Sequence, residues 1–353
     1  LDGVFNHTGS DSIYFNRFGK YPSLGAYQSV DSPYYSWYSF REFPDDYECW
    51  WGVKILPRVN GSNKGFCSFI CDKVVKKWMK LGVSGWRLDV SDELDEGFLE
   101  EFRKAVKKNN PDGVLIGEVW EDASDKVSYG SRRAYLYGGE LDSVMNYPLR
   151  SAVIDYVKNG TVELMRKNSE GLYRRYPKCT SDNLMNFLGT HDTERILTIL
   201  GGEEMGDKSN AELAKLKMTA EEREIALKKL KLAYGIIAGM PGSPCVFYGD
   251  EAGVEGYRDP FCRMPFPWKK IDEELLAFYR KIGTIRSTNT VFRDGIFEIL
   301  HLDERAFCYE RKPFDGGEDY KIVVCCARHG KVTAKVWDYG KNHGVKLPIT
   351  AEN

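Results

Sequence analysis

The chain has 353 residues, 42% hydrophobic and 29% charged, with a formal net charge of −2. That length suits one large barrel or two to three ordinary domains, with enough apolar residues to bury a sizeable core. No Lys/Arg run is long enough to mark a nucleic-acid or membrane surface, and no apolar run reaches membrane-spanning length, so neither partner class is expected.

In chain order, residues 1–7 (Leu1-Asp2-Gly3-Val4-Phe5-Asn6-His7) read as a buried strand with its polar end at Asn6 and His7. Residues 8–68 show no helical period and are rich in Gly, Ser, Tyr, Phe and Trp, as a long irregular excursion would be; such a loop inside a compact domain is usually functional. Over 69–81 the spacing predicts a helix with Val74, Val75, Trp78 and Leu81 inward, four lysines outward and Gly82 as its stop. A strand follows over 83–89, then a helix over 97–108 with Phe98, Leu99, Phe102 and Val106 inward.

Further strands are predicted over 114–118, 141–146 and 184–188, with a helix over 148–158. Thr219 and Glu222 have the spacing of a capping box. They open a helix whose apolar side carries Ala226, Leu227, Leu230, Tyr234 and Ile237, stopped by Pro241-Gly242. The last strand of this series is expected over 244–248. Alternating strands and helices with short connections predict a parallel α/β barrel. From about Phe292 the texture changes to short runs at 296–300, 306–309 and 322–326 between turns, which predicts an antiparallel β-domain.

Four segments carry the chemistry: the opening run to His7, Gly85-Trp86-Arg87-Leu88-Asp89, Gly117-Glu118-Val119-Trp120, and Gly189-Thr190-His191-Asp192. Each is a short apolar run delivering carboxylate, His or Arg to a strand end, as barrel strands deliver side chains to a catalytic rim. Asp89 and Glu118 end adjacent strands, which lie about 4.8 Å apart. That suits the roughly 5 Å between the two carboxyls of a retaining glycosidase. Arg87, two residues before Asp89, points to the same side of its strand and would keep Asp89 ionised. An apolar wall such as Trp120 and the neighbouring Asp89 are both expected to raise the pKa of Glu118. The 21 Tyr, 18 Phe and 8 Trp are suited to stacking on sugar faces, with core packing as the competing use. Nine Cys without His at zinc-site spacing read as reduced thiols, which fits a cytoplasmic setting.

Taken in this order, the four segments resemble the conserved regions of the α-amylase family of glycoside hydrolases. Tyr47-Glu48-Cys49-Trp50-Trp51-Gly52, Leu56-Pro57-Arg58-Val59-Asn60, Val90 to Glu93 after Asp89, and Met145-Asn146-Tyr147-Pro148-Leu149 are similar to its neopullulanase, cyclomaltodextrinase and maltogenic amylase branch. The resemblance runs from residue 1 to about Asn289. It implies a TIM-type (β/α)8 barrel over 1–7 and 69–290, an inserted domain B over 8–68, and a C-terminal β-sandwich domain over 291–353. Six barrel strands are legible where the family has eight, and the first resembles the family's third. The expectation is therefore an N-terminally truncated chain, poorly soluble or weakly active by itself.

By the same resemblance Asp89 is the nucleophile, Glu118 the acid/base and Asp192 the third carboxylate, which would bind sugar hydroxyls. His7, Arg87, His191, Trp120, Val90, Glu93 and Trp51 would bind substrate, and Asp2 would support the rim. Asn6 is either a calcium ligand, as in many relatives, or a structural hydrogen-bonding residue; no other cofactor is required. Glu121 stands where the branch usually has His, and Arg58 where it often has Lys. The implied activity is retaining hydrolysis of α-1,4, and in some relatives α-1,6, bonds in cyclodextrins, pullulan, maltooligosaccharides or starch. The full-length protein would then be a homodimer, as in that branch. The alternatives are a non-catalytic amylase-like sugar-binding subunit, or an α-1,6-glucosidase or trehalose-active enzyme of the same family.

Overall fold

The computed structural model describes residues 1–314, 320–328, 332–338 and 343–347. Residues 315–319, 329–331, 339–342 and 348–353 of the expected C-terminal domain lie outside the described residues. The chain divides into two compact units, Leu1–Met145 and Asn146–Asn353.

The first unit is built on a four-stranded parallel sheet in the order Asp2–Gly3, Gly85–Leu88, Val114–Gly117, Ser143–Val144. Gly3 pairs with Leu88, Leu88 with Gly117, and Gly117 with Val144. The residues that follow these strands, Asp89, Glu118 and Met145, therefore leave the sheet at one edge. A helix over Glu96–Asn109 covers it, with Phe98, Leu99, Phe102 and Val106 all buried as its period predicts. Phe5, Trp86 and Phe102 pack as an aromatic cluster with ring centroids 5.2–5.8 Å apart.

Two expectations need correction in this unit. The opening strand is only Asp2–Gly3, and Leu1, Asp2 and Val4 are exposed, because this strand is the edge of its sheet. The helical stretch near 69–81 is Lys64–Ser68, a π-helical segment Phe69–Val75, and Lys76–Lys80. Its buried residues are Phe66, Ile70, Val75 and Met79, while Trp78 and Leu81 are exposed. The wider π turn adds one residue between Ile70 and Val75, which rotates everything after it relative to a 3.6-residue period.

Residues 8–63 form no α-helix. A buried Phe15 gathers Tyr27, Tyr38, Phe40 and Tyr47 at centroid distances of 4.8–6.1 Å, so the excursion has an aromatic core of its own.

The second unit pairs Met185–Phe187 in parallel with Ser243–Cys245. The helix Ala220–Gly239 opens on the predicted capping box, with both reciprocal hydrogen bonds between Thr219 and Glu222 present. Its last eight residues are all buried, since they form the centre of a core shared with Tyr147–Asn159, Glu273–Thr288 and the C-terminal sheet. The last strand stops at Cys245 because Phe247 and Tyr248 turn away to pack their rings 4.2 and 4.7 Å from the Arg195 guanidinium. The described C-terminal strands form one antiparallel meander, Ile296–Leu302 through His343–Leu347.

Candidate active site

The densest polar cluster of the first unit surrounds Arg87. Its Nη1 lies 2.5 Å from Asp89 Oδ1 and 2.9 Å from Asp2 Oδ1. Its Nη2 lies 2.9 Å from Glu118 Oε2, an ion contact rather than an aligned hydrogen bond. Arg87 Nε donates to Met145 Sδ at 3.5 Å. Four consecutive strand ends thus meet at one guanidinium, which follows from the register of the sheet. Burial opposes the charge of Arg87, but Glu118, Asp2 and Asp89 outweigh it and raise its pKa.

Glu118 is 5% exposed, and burial raises its pKa. The Val90 N–H and Arg87 act against that shift, and the Asp89 charge adds to it. The Val90 N–H donates to Glu118 Oε2 at 2.8 Å, and the Trp120 indole N–H to Oε1 at 3.2 Å. Trp120 therefore stabilises the carboxylate through its N–H, where an apolar wall was expected to do the opposite. Val90 has φ 39° and ψ 57°, a left-handed conformation that strains a β-branched residue.

His7 stacks on Trp50 at 5.1 Å, and Trp50 on Trp51 at 5.3 Å. Burial lowers the His7 pKa, with the Asp89 charge pulling the other way. Glu93 is held by Trp51 Nε1 at 3.4 Å, by the Tyr129 hydroxyl, and by Arg58 Nη2, which donates to its carbonyl at 3.3 Å. The Glu121 side chain pairs with Lys126, which also reaches Asp92 at 2.9 Å.

In the second unit His191 Nε2 lies 3.2 Å from Asp192 Oδ2, and the Asp192 N–H donates to Thr190 Oγ1 at 3.2 Å. Arg263 reaches Asp192 Oδ1 at 3.4 Å. Sequence reasoning missed Arg263, Lys126, Tyr129 and Arg133, which donates to the Ser91 and Leu94 carbonyls. All four lie outside the strand-end runs, and no sequence signal marks them.

Asn6 is buried, with Oδ1 free of any partner and Nδ2 3.4 Å from His7 Nδ1. Calcium takes six to eight oxygens, usually with carboxylates among them. Among the described residues no group of three or more His, Cys, Asp or Glu could hold a metal ion, so one orphaned acceptor does not make a calcium site.

The model of the alpha-amylase catalytic domain matches residues 1–281. The chain belongs to the α-amylase family. Its fold class is accordingly the family's TIM-type α/β barrel, followed here by antiparallel strands. It is 36% identical to an amylopullulanase of Thermoanaerobacter thermohydrosulfuricus, over 95% of this chain and 24% of that enzyme. It is 32% identical to neopullulanase 2 of Thermoactinomyces vulgaris, over 88% of this chain and 48% of the enzyme. The chain thus spans half or less of the curated relatives named. A solved structure of a cyclic α-maltosyl-(1→6)-maltose hydrolase from Arthrobacter globiformis matches with TM-score 0.76 and 26% identity, covering 94% of this chain and 68% of that one.

Proposed function

We propose that the protein is a retaining α-glucan hydrolase that cleaves α-1,4 and α-1,6 glucosidic bonds in cyclodextrins, pullulan and maltooligosaccharides. The observation that carries this reading is the Arg87 guanidinium, which contacts the carboxyls of Asp89 and Glu118 at the ends of neighbouring parallel strands. Relatives called neopullulanase, cyclomaltodextrinase and maltogenic α-amylase support the substrate class.

In the first step the Asp89 carboxylate forms a bond to the anomeric carbon while the glycosidic C–O bond breaks, and Glu118 gives its proton to the leaving oxygen. In the second step Glu118 takes a proton from water, whose oxygen displaces Asp89 and regenerates the free acid. Arg87 holds the Asp89 carboxyl in place through its Nη1 contact. Burial and the neighbouring Asp89 charge favour the protonated Glu118 that the first step needs. Asp192 and His191 would bind hydroxyls of the reacting sugar. His7, Trp120, Val90, Glu93 and Trp51 would line its path. No step runs through calcium.

The same reading assigns 1–7 and 69–290 to the barrel, 8–68 to an inserted domain and 291–353 to a C-terminal β-domain. It also includes a homodimer for the full-length protein, which sedimentation would test. We place it in the cytoplasm. The nine cysteines, read as reduced thiols, support that placement. The deciding assay compares β-cyclodextrin, pullulan and starch as substrates of the full-length protein and of its Asp89→Asn variant. Turnover of cyclodextrin or pullulan faster than starch, lost in Asp89→Asn, is the expected result. Maltooligosaccharide binding without turnover by the parent would replace the reading with a non-catalytic sugar-binding subunit.

A further inference from the structure

Four non-glycine residues have a left-handed backbone among the described residues: Asn16, Trp51, Val90 and Tyr129. Asn adopts that conformation readily, whereas aromatic and β-branched residues do not. The three strained ones converge on Glu93. Val90 opens the turn that carries it, with the Glu93 N–H donating to the Val90 carbonyl at 2.8 Å. The Trp51 indole N–H and the Tyr129 hydroxyl both donate to Glu93 Oε1.

The Glu93 side chain is 10% exposed, yet Trp51 is 80% and Tyr129 73% exposed. Beyond the stack of Trp51 on Trp50, these two exposed rings on strained backbone bury little surface for the fold. Strain of this kind persists where the surroundings fix it, and it clusters at ligand-binding sites. Beside Glu93 and Tyr129 lies a pocket of about 610 Å³, also lined by Arg58, Asn60, Ser128 and Ser131. That volume falls within the range of small-molecule sites, and its lining offers donors and acceptors suited to sugar hydroxyls.

We propose that Tyr129 and Trp51, hinged on Glu93, form a stacking rim for a glucosyl unit away from the scissile bond, whose hydroxyls enter the pocket beside Arg58 and Asn60. This rests on the α-glucan reading and extends it to Tyr129 and the pocket. The rim selects for chain length, because only a glucan longer than the reacting pair reaches it.

The test uses the full-length Asp89→Asn protein, titrated calorimetrically with maltohexaose. Adding Tyr129→Ala is expected to weaken binding at least tenfold. Tyr129→Phe, which keeps the ring but loses its hold on Glu93, is expected to weaken it about threefold and guards against misfolding of the alanine variant. Undiminished binding by folded Tyr129→Ala and Tyr129→Phe proteins would overturn the rim while leaving the α-glucan reading intact. Absence of maltohexaose binding by the Asp89→Asn parent would overturn both.

Discussion

Arg87 and Arg195, one in each compact unit, are arginines set among acids, and they are used in opposite ways. Arg87 is 14% exposed and faces three carboxylates. Arg195 is fully buried, 3.2 Å from Asp250, packed against two aromatic rings, with Nε and Nη2 lacking partners. In the first cluster burial raises the pKa of Glu118 and the neighbouring Asp89 charge adds to it, so one carboxyl is driven toward protonation, which suits proton transfer. The second is a matched pair sealed from water. A pair of that kind fixes the loop carrying His191 and Asp192 against the 248–256 segment, where the Arg195 N–H also donates to the Gly256 carbonyl at 2.8 Å. A buried ion pair is therefore no sign of catalysis; several carboxyls gathered around one cation are the better sign.

The sharpest way to break this contrast is Asp89→Asn. It should reduce kcat roughly 10⁴-fold or more, the scale of nucleophile loss, with little change in Tm. A variant that keeps activity would remove Asp89 from its role.

Arg195→Met should do the reverse. It leaves a buried carboxyl without its cation, a change of about 3–5 kcal/mol, read by urea unfolding. Burial pushes the Asp250 pKa up to about 7, against the opposing effects of Arg195 and Arg150 and with help from Glu251. Since the folded value is raised above the ordinary 3.8, its contribution to stability is complete below 3.8 and lost as pH rises through about 7. The Arg195→Met loss should therefore be greater at pH 8 than at pH 6. In Asp250→Asn the decline between those pH values should flatten by up to about 1.4 kcal/mol per pH unit.

Glu118→Gln tests both sides of the comparison in one variant. Loss of the acid/base should lower kcat by about 10²–10⁴-fold. Yet the raised pKa means that ionised Glu118 weakens the fold, with its contribution present below the ordinary 4.5 and lost as pH rises through the folded value. The variant should then melt higher than the parent at neutral pH, and no higher at pH 4. An equal gain at both pH values would mean that burial does not set the Glu118 protonation.

Much of this was legible in the chain. The strands Gly85–Leu88, Val114–Gly117 and Met185–Phe187 show as apolar runs leading to polar groups, and the inward residues of 97–108 follow a regular period. Asp89 and Glu118 could be paired because neighbouring strand ends are neighbours in space. The π segment Phe69–Val75 was not legible, since its extra residue is set by a local hydrogen-bond pattern and not by hydrophobic spacing. The partners of Glu93 and Asp192 were hidden for another reason. Tyr129 sits in the turn of a short hairpin and Arg263 ends a single 3-10 turn, elements too short for periodicity to say which way a side chain points.

The smallest expected effect lies at Val90. Its φ of 39° costs a β-branched side chain about 1–2 kcal/mol, and Gly would relieve that. Gly also adds about 0.5–1 kcal/mol of unfolded-chain entropy, so Val90→Gly should leave stability unchanged or raise it by up to about 1.5 kcal/mol. The N–H that donates to Glu118 at 2.8 Å is retained, so kcat should fall less than tenfold, with its alkaline limb in place. Val90→Pro fixes φ near −65° and removes that N–H. Because the N–H favours the carboxylate, its loss should raise the Glu118 pKa further and move the alkaline limb of the rate profile to higher pH. A clear drop in Tm for Val90→Gly would show that the left-handed turn is held by contacts of the valine side chain, and that the strain at this position is only apparent.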